Sequence, residues 1–231
     1  MAAGPRQAVF TESETMRQRP VQDRLQIAGP AGVLEALLET PAEVAATGCA
    51  VVCHPHPVHG GTLENKVTHM LARSFVASGL SALRFNFRGV GESEGSFDDG
   101  NGELADVLAA VAWMRESEPQ LPLWLSGFSF GAAMAVRAAV ECDPAGLVSV
   151  APAVSRFADN LASQPTCPWL ILQGDQDELV DIDETIAWVN NLDPGPELEI
   201  FPDTEHFFHG KLIPLRDTVE KFVQENSIEQ P

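Results

Sequence analysis

The chain has 231 residues, 45% of them hydrophobic and 20% charged, which suits one α/β domain and leaves no run of the ~20 continuous apolar residues that a membrane helix needs. Thirty-three acidic residues against 14 basic ones give a formal charge of −19, which repels phosphate backbones and anionic lipid and argues against nucleic acid or a membrane as partner. The opening MAAGPRQAVFTESETMRQRP carries no apolar core of the secretory type, so a cytoplasmic location is expected.

Residues 1–20 are polar and aperiodic and read as a flexible N-terminal arm. From Val21 the pattern changes, and residues 21–228 read as a single domain. Segments 21–28 and 33–39 suit a hairpin around Gly29-Pro30-Ala31-Gly32 at one edge of a sheet. Apolar runs of strand length follow at 49–53, 80–87, 122–126, 146–151, 168–173 and 197–201, several of them apolar throughout, as strands buried on both faces are. Between them, helical spacing covers 63–78, 103–116, 130–141, 181–192 and 211–225. That alternation predicts a mostly parallel central sheet with helices on both faces. Residues 88–102 are a Gly-, Ser- and Asp-rich loop. Cys49 and Cys53 would stand ~13 Å apart on one strand, too far for a bridge. Cys142 and Cys167 have no evident partner, and four buried thiols suit a reducing compartment.

Within this alternation, GFSFG at 127–131 lies between the strand PLWLS, which is expected to end at Gly127, and the helix FGAAMAVRAAVEC. A serine on a strand-to-helix turn of an α/β sheet is placed as a nucleophile elbow is, with flanking glycines that let the chain bend and a helix N-terminus that favours negative charge beside Ser129. A hydroxyl is a weak nucleophile at neutral pH, so a base must take its proton and a carboxylate must orient that base. Downstream, LILQGDQDELVD supplies acids past one strand, and FPDTEHFFHG supplies histidines past the next. Spacing alone does not choose among Asp175, Asp177, Glu178 and Asp181, or between His206 and His209. The surplus acids read most simply as a solvated loop; a calcium loop would need an internal glycine and a closing glutamate that are missing.

Taken together, HPHPVHGGTLENK at 54–66, FRGVGES at 87–93 and GFSFG at 127–131 resemble the α/β-hydrolase superfamily, in particular its small lidless bacterial serine hydrolases with HPHP and GFSFG motifs. The resemblance runs from about residue 25 to 225 and implies an α/β-hydrolase fold without a cap domain. It also implies Ser129 as nucleophile, Asp177 as the orienting acid and His206 as the base. His209 is then expected to cap or pack at the start of the terminal helix. The sequence departs from the family at Pro202-Asp203-Thr204-Glu205, which lacks the usual glycine before the histidine. About 16 residues separate the 146–151 and 168–173 runs, where a lid is inserted in larger relatives, so an open site is expected.

The loop after the 49–53 strand should supply an oxyanion donor to pair with the N–H of Phe130. Pro55 and Pro57 lack an N–H, which leaves His56, Val58 and His59, with His56 favoured. The same histidines, with His206 and His209, raise a metal-site alternative, but that loop has no acidic ligand at a supporting spacing. Arg88 is expected to tie its loop to a neighbouring carboxylate or carbonyl. Phe128, Phe130, Phe207 and Phe208 are expected to divide between core and acyl pocket, most of them core. The expected activity is hydrolysis of small or soluble carboxylic esters through an acyl-enzyme, with acyl thioesters or aminopeptidase-like amide substrates as the alternative. No cofactor or metal is implied, and a monomer or a homodimer fits equally. A hydrolase fold kept as a binding or scaffold protein is the alternative from another class; it has no physical need for the full Ser, Asp and His set.

Overall fold

The structure, a computed structural model, describes residues 19–158 and 163–227. The expected N-terminal arm falls almost wholly outside these residues. Eight strands form one sheet: β1 (Val21–Gly29), β2 (Gly32–Thr40), β3 (Gly48–Cys53), β4 (Leu80–Phe85), β5 (Leu123–Phe128), β6 (Gly146–Val150), β7 (Trp169–Gly174) and β8 (Glu197–Phe201). Their order across the sheet is β1-β2-β4-β3-β5-β6-β7-β8; β2 is antiparallel to both its neighbours, and every pair from β4 to β8 is parallel. The helices are α1 (Lys66–Ala77), α2 (Asn101–Ser117), α3 (Phe130–Cys142), the short α4 (Val154–Phe157), α5 (Ile182–Val189) and α6 (Leu212–Asn226).

The apolar runs explain the layers. Successive residues of a strand point to opposite faces, so a run apolar throughout has to be covered twice. On β3, Cys49, Val51 and Cys53 pack with Val107, Val111 and Met114 of α2 and with Ala135 and Val136 of α3. Ala50 and Val52, from the same strand, pack on the other face with Leu71 and Phe75 of α1 and with Leu215 and Val219 of α6.

The expected boundaries shift by one to three residues, each for a local reason. The helix expected from residue 63 begins at Lys66, because the Asn65 carboxamide caps the N–H groups of Val67 and Thr68 at 2.9 and 3.3 Å. The strand expected to reach residue 87 ends at Phe85. Beyond it, Asn86 leaves the sheet: its N–H donates to Glu35 O at 2.8 Å, and its side chain bridges the Leu63 N–H and the Glu35 carboxylate. β5 does not stop at Gly127 as expected, but carries through Phe128, because its register with β6 continues to Phe128 opposite Val150.

Two buried ion pairs fix the loops beside the C-terminal ends of these strands. Arg84 on β4 donates from Nε to Glu39 on β2 at 3.0 Å, with both side chains essentially out of water. Arg84 Nη1 also donates to the Leu63 carbonyl, which ties the segment before α1 to the sheet. Arg88 tethers its loop as expected: its guanidinium grips Asp106 of α2 through Nε at 3.0 Å and Nη2 at 2.7 Å, and its own N–H donates to the same carboxylate at 3.0 Å. Gly102 makes room for that grip, since a Cβ there would lie 2.1 Å from Arg88 Nη1. Removing one partner of a buried pair strands a charge in a dry site. Glu39→Ala is therefore expected to lower the free energy of unfolding by about 3–5 kcal/mol, measured by urea denaturation at pH 7.

Candidate active site

Ser129 sits between β5 and α3 with φ 56° and ψ −116°, a backbone conformation that non-glycine residues rarely take and that costs of order 1–3 kcal/mol. The surroundings over-determine it. Its N–H donates to Val150 O at 2.8 Å, and its carbonyl accepts from Ala133 N–H at 3.1 Å in the first turn of α3. A Cβ on Gly127 would meet Gly131 O at 2.3 Å, and one on Gly131 would meet His54 O at 2.3 Å. Both glycines of the motif are thus demanded by close backbone approach, the second because α3 starts directly against the end of β3. Ser129 is half-buried, so the strained turn leaves its hydroxyl open to the cavity described below.

Asp177 follows β7 and His206 follows β8, so the parallel sheet delivers both to the C-terminal edge from which Ser129 also projects. His206 Nδ1 lies 2.8 Å from Asp177 Oδ2 and 3.0 Å from Oδ1, and both side chains are buried. The Asp177 carboxylate also accepts the N–H groups of Leu179 at 2.9 Å and Val180 at 2.8 Å, and the Gln173 side-chain amide at 3.0 Å. Burial alone would raise its pKa; the bond to His206 and the two backbone amides outweigh burial and hold it below the usual carboxylate value. Asp177 is therefore an anion, and the nitrogen facing it carries the His206 proton, which leaves Nε2 as the basic nitrogen. The ring lies on Phe128, with centroids 4.8 Å apart, and against Phe207 at 5.2 Å. Ser129 Oγ and the His206 ring line one cavity without a hydrogen bond between them.

The other candidate acids have different partners. Asp175 accepts Thr204 N–H at 3.2 Å, Glu178 accepts His206 N–H at 3.2 Å, and Asp181 caps α5 through the N–H groups of Asp183 and Glu184. His209 neither caps α6 nor packs under it, contrary to expectation: it is exposed and pairs with Glu205, and the cap position is Lys211. The missing glycine is replaced by Asp203 at φ 51°, since aspartate tolerates the left-handed region better than most residues.

In the HPHP loop the first histidine is structural. His54 is fully buried; its Nε2 accepts the Phe87 N–H at 3.0 Å, and its Nδ1 donates to Pro55 O at 2.6 Å. Burial pushes its pKa from 6.5 down to about 4, so the ring is neutral and pins the β3 loop to the β4 loop. His59 N–H is spent on His56 O at 3.1 Å. Among the described residues, the backbone N–H groups of His56 and Phe130 donate to no protein acceptor. The His56 ring lines the cavity and contacts Phe97, Phe130 and Phe157, with centroids 4.9 to 5.7 Å apart. Burial lowers its pKa as well, followed by the effects of His59 and Arg156. Among the described residues, no group of three His, Cys, Asp or Glu is placed to share a metal ion.

Ser129, Phe130, His56 and His206 line one cavity of about 570 Å³, closed on other sides by Phe157 of α4 and by Leu179. Phe207 also lines it and is 41% exposed, while Phe128, Phe130 and Phe208 are buried. Sequence reasoning overlooked Gln173 and the locking role of His54. The only signal for Gln173 is a lone amide ending the apolar strand WLILQG.

A family model described as serine aminopeptidase, S33, matches residues 50–160. A serine hydrolase without a lid from Xanthomonas campestris has the same architecture, with a TM-score of 0.86 at 40% identity, covering 91% of this chain and 97% of its own. An α/β serine hydrolase homologue from Coxiella burnetii gives 0.83 at 41% identity, covering 86% and 96%. An uncharacterised protein of Rickettsia prowazekii is 34% identical over 172 residues, 70% of this chain and 72% of its own.

The buried His54 makes a prediction about stability. Its folded pKa lies below its unfolded one, so as the pH falls from 6.5 toward 4 the unfolded chain takes up a proton that the folded chain refuses. About 3 kcal/mol of stability should be lost across that window through this residue. His54→Gln keeps an acceptor for the Phe87 N–H, and should flatten that part of the profile when urea unfolding is followed at pH 7 and pH 4.5.

Proposed function

The chain belongs to the α/β-hydrolase superfamily, and on that footing we propose that its domain, residues 21–228, cleaves small or soluble carboxylic esters through an acyl-enzyme on Ser129. The observation that carries the reading is the double contact of His206 Nδ1 with the Asp177 carboxylate, beside a strained serine that opens on the same cavity. In this reading Ser129 Oγ attacks the ester carbonyl as His206 Nε2 takes its proton. The imidazolium, held by Asp177, then protonates the leaving alkoxide, and a water activated by the same nitrogen releases the acid. The N–H groups of Phe130 and His56 receive the oxyanion. Each such donor contributes about 2.7–4 kcal/mol to lowering the barrier.

The choice of small esters rests on the shape of the site. α4 has four residues, and among the described residues the cavity is walled by single side chains rather than by a separate layer, so a long acyl chain would find little apolar cover. Four unbridged cysteines favour a reducing, cytoplasmic setting. A second reading, aminopeptidase-like amide hydrolysis, is favoured by the family model over residues 50–160 and by Glu184, an exposed carboxylate lining the cavity where a substrate ammonium would find a counter-charge.

A fluorophosphonate probe should label the protein at Ser129 and leave Ser129→Ala unlabelled. Among p-nitrophenyl esters graded by acyl length, assayed beside acyl-CoA thioesters and aminoacyl anilides, the shortest acyl esters should give the highest kcat/KM. Absence of labelling would overturn the mechanism, a preference for long chains would overturn the small-ester reading, and preference for the anilides would install the second reading instead.

A further inference from the structure

β7 reads WLILQG, and its single polar side chain, Gln173, is fully buried. Its Nε2 donates to Asp177 Oδ2 at 3.0 Å and to Val180 O at 3.3 Å, with Gly174 O at the margin at 3.5 Å. Its Oε1 is buried with no protein partner among the described residues. Those neighbours decide which way round the amide sits: every group around that end is an acceptor, so the nitrogen must face them. An unpartnered buried carbonyl is a cost that an apolar side chain of equal length would avoid, so packing does not account for a glutamine here.

The bond that only this side chain supplies falls on the oxygen nearest the histidine. Asp177 Oδ1 is fixed by the N–H groups of Leu179 and Val180. Oδ2, at 2.8 Å from His206 Nδ1, has no hold among the described residues besides that ring and Gln173. We propose that Gln173 is a positioning residue: its amide fixes Asp177 Oδ2 against His206 Nδ1, and so sets the orientation and basicity of the imidazole that serves Ser129. The proposal rests on the roles assigned above to Ser129, His206 and Asp177.

The expected signature has two parts. Without the amide, Oδ2 is free to turn away, so the imidazole is held less well for proton transfer and kcat falls. The carboxylate as a whole stays beside the ring, because Oδ1 remains fixed by two backbone amides, and with one donor fewer it carries more negative charge; that favours the imidazolium, so the acidic limb of the kcat/KM profile moves to higher pH. The other charged or titratable groups nearby stay the same in every variant compared: Asp175, Glu178 and Asp181, bonded to backbone N–H groups, His56, His59, Arg156 and Glu184 on the cavity that His206 lines, and the Glu205–His209 pair on its own loop.

Gln173→Met keeps the length and loses both the donor and the stranded carbonyl. Its kcat on a p-nitrophenyl ester should fall about 10- to 100-fold, as when an orienting partner is lost elsewhere, with KM within about threefold of the parent. Its acidic limb should move up, and its melting temperature should stay level or rise. Gln173→Glu is the conservative control: a carboxyl beside Asp177 keeps a proton to unusually high pH and still donates. It should retain more activity than Gln173→Met at the acid end and lose that advantage as it ionises. A Gln173→Met enzyme with parental kcat and an unmoved limb overturns the proposal. So does a loss of kcat matched by a lowered melting temperature, or a Gln173→Glu enzyme no better than Gln173→Met at any pH. Failure of the parent protein to react with a fluorophosphonate would instead overturn the underlying assignment of the site, so the two failures are distinguishable.

Discussion

The arrangement of the site depends on one unfavourable backbone conformation, that of Ser129. A residue at φ 56° reverts to an ordinary turn unless its neighbours forbid it, and here three elements do so. β6 takes the Ser129 N–H, α3 takes its carbonyl, and the end of β3 lies so close to Gly131 that no side chain fits between them. The strain of one residue is thereby spread over the packing of a helix on three strands. The outcome is positional: the hydroxyl leaves the backbone at the rim of the sheet, and the N–H of Phe130 is left without an internal acceptor because α3 begins there.

Parallel strand order does the rest. Each strand from β3 to β8 ends on the same side, so loops separated by many residues in the chain become neighbours. The β3 loop presents the His56 N–H, and the loops after β7 and β8 bring Asp177 and His206 together. Loops are the softest parts of a fold, and this protein stiffens them with buried polar bonds. His54 clamps the β3 loop to Phe87, and Glu35 and Asn86 brace the β4 loop. Asp177 Oδ1 closes its own loop on Leu179 and Val180. The same carboxylate thus organises the backbone and faces the histidine.

Much of this was legible in the sequence because it is written in periodicity and in glycine. The strand and helix runs pointed to a mostly parallel sheet with helices on both faces, and GFSFG announced a turn that glycines permit; the order of the strands has no such signature and came only with the fold. Ends of elements were harder to read, since they are decided by bonds between distant residues: Asn86 leaves β4 because Glu35, 51 residues away in sequence, holds its amide. The choice among four acids had no signature in spacing either, because each of them satisfies a different backbone N–H in the folded loop. His209 was misread for a related reason. The terminal helix begins later than its apolar pattern suggests, and the histidine pairs locally with Glu205.

The strong acidity of the chain takes on a structural meaning when the cations are followed inward. With 33 acidic residues and 14 basic ones, exposed cations have abundant carboxylates within reach, and pairs of that kind contribute little to stability. Arg84 and Arg88 are used differently. Arg84 is buried and Arg88 half-buried, each against a carboxylate that is itself out of water, where desolvation offsets much of the attraction, so the benefit to stability is small and the benefit to register is large. Both lie on or just beyond β4, the strand next to β3, and each ties a neighbouring segment to it: Arg84 the residues before α1, Arg88 the helix α2. Those segments carry or support Asn65 and Phe97, which stand at or behind the walls of the cavity. Charge that would be nearly idle at the surface is thereby used to fix the frame that carries the walls of the cavity shared by Ser129, His56, Phe130 and His206.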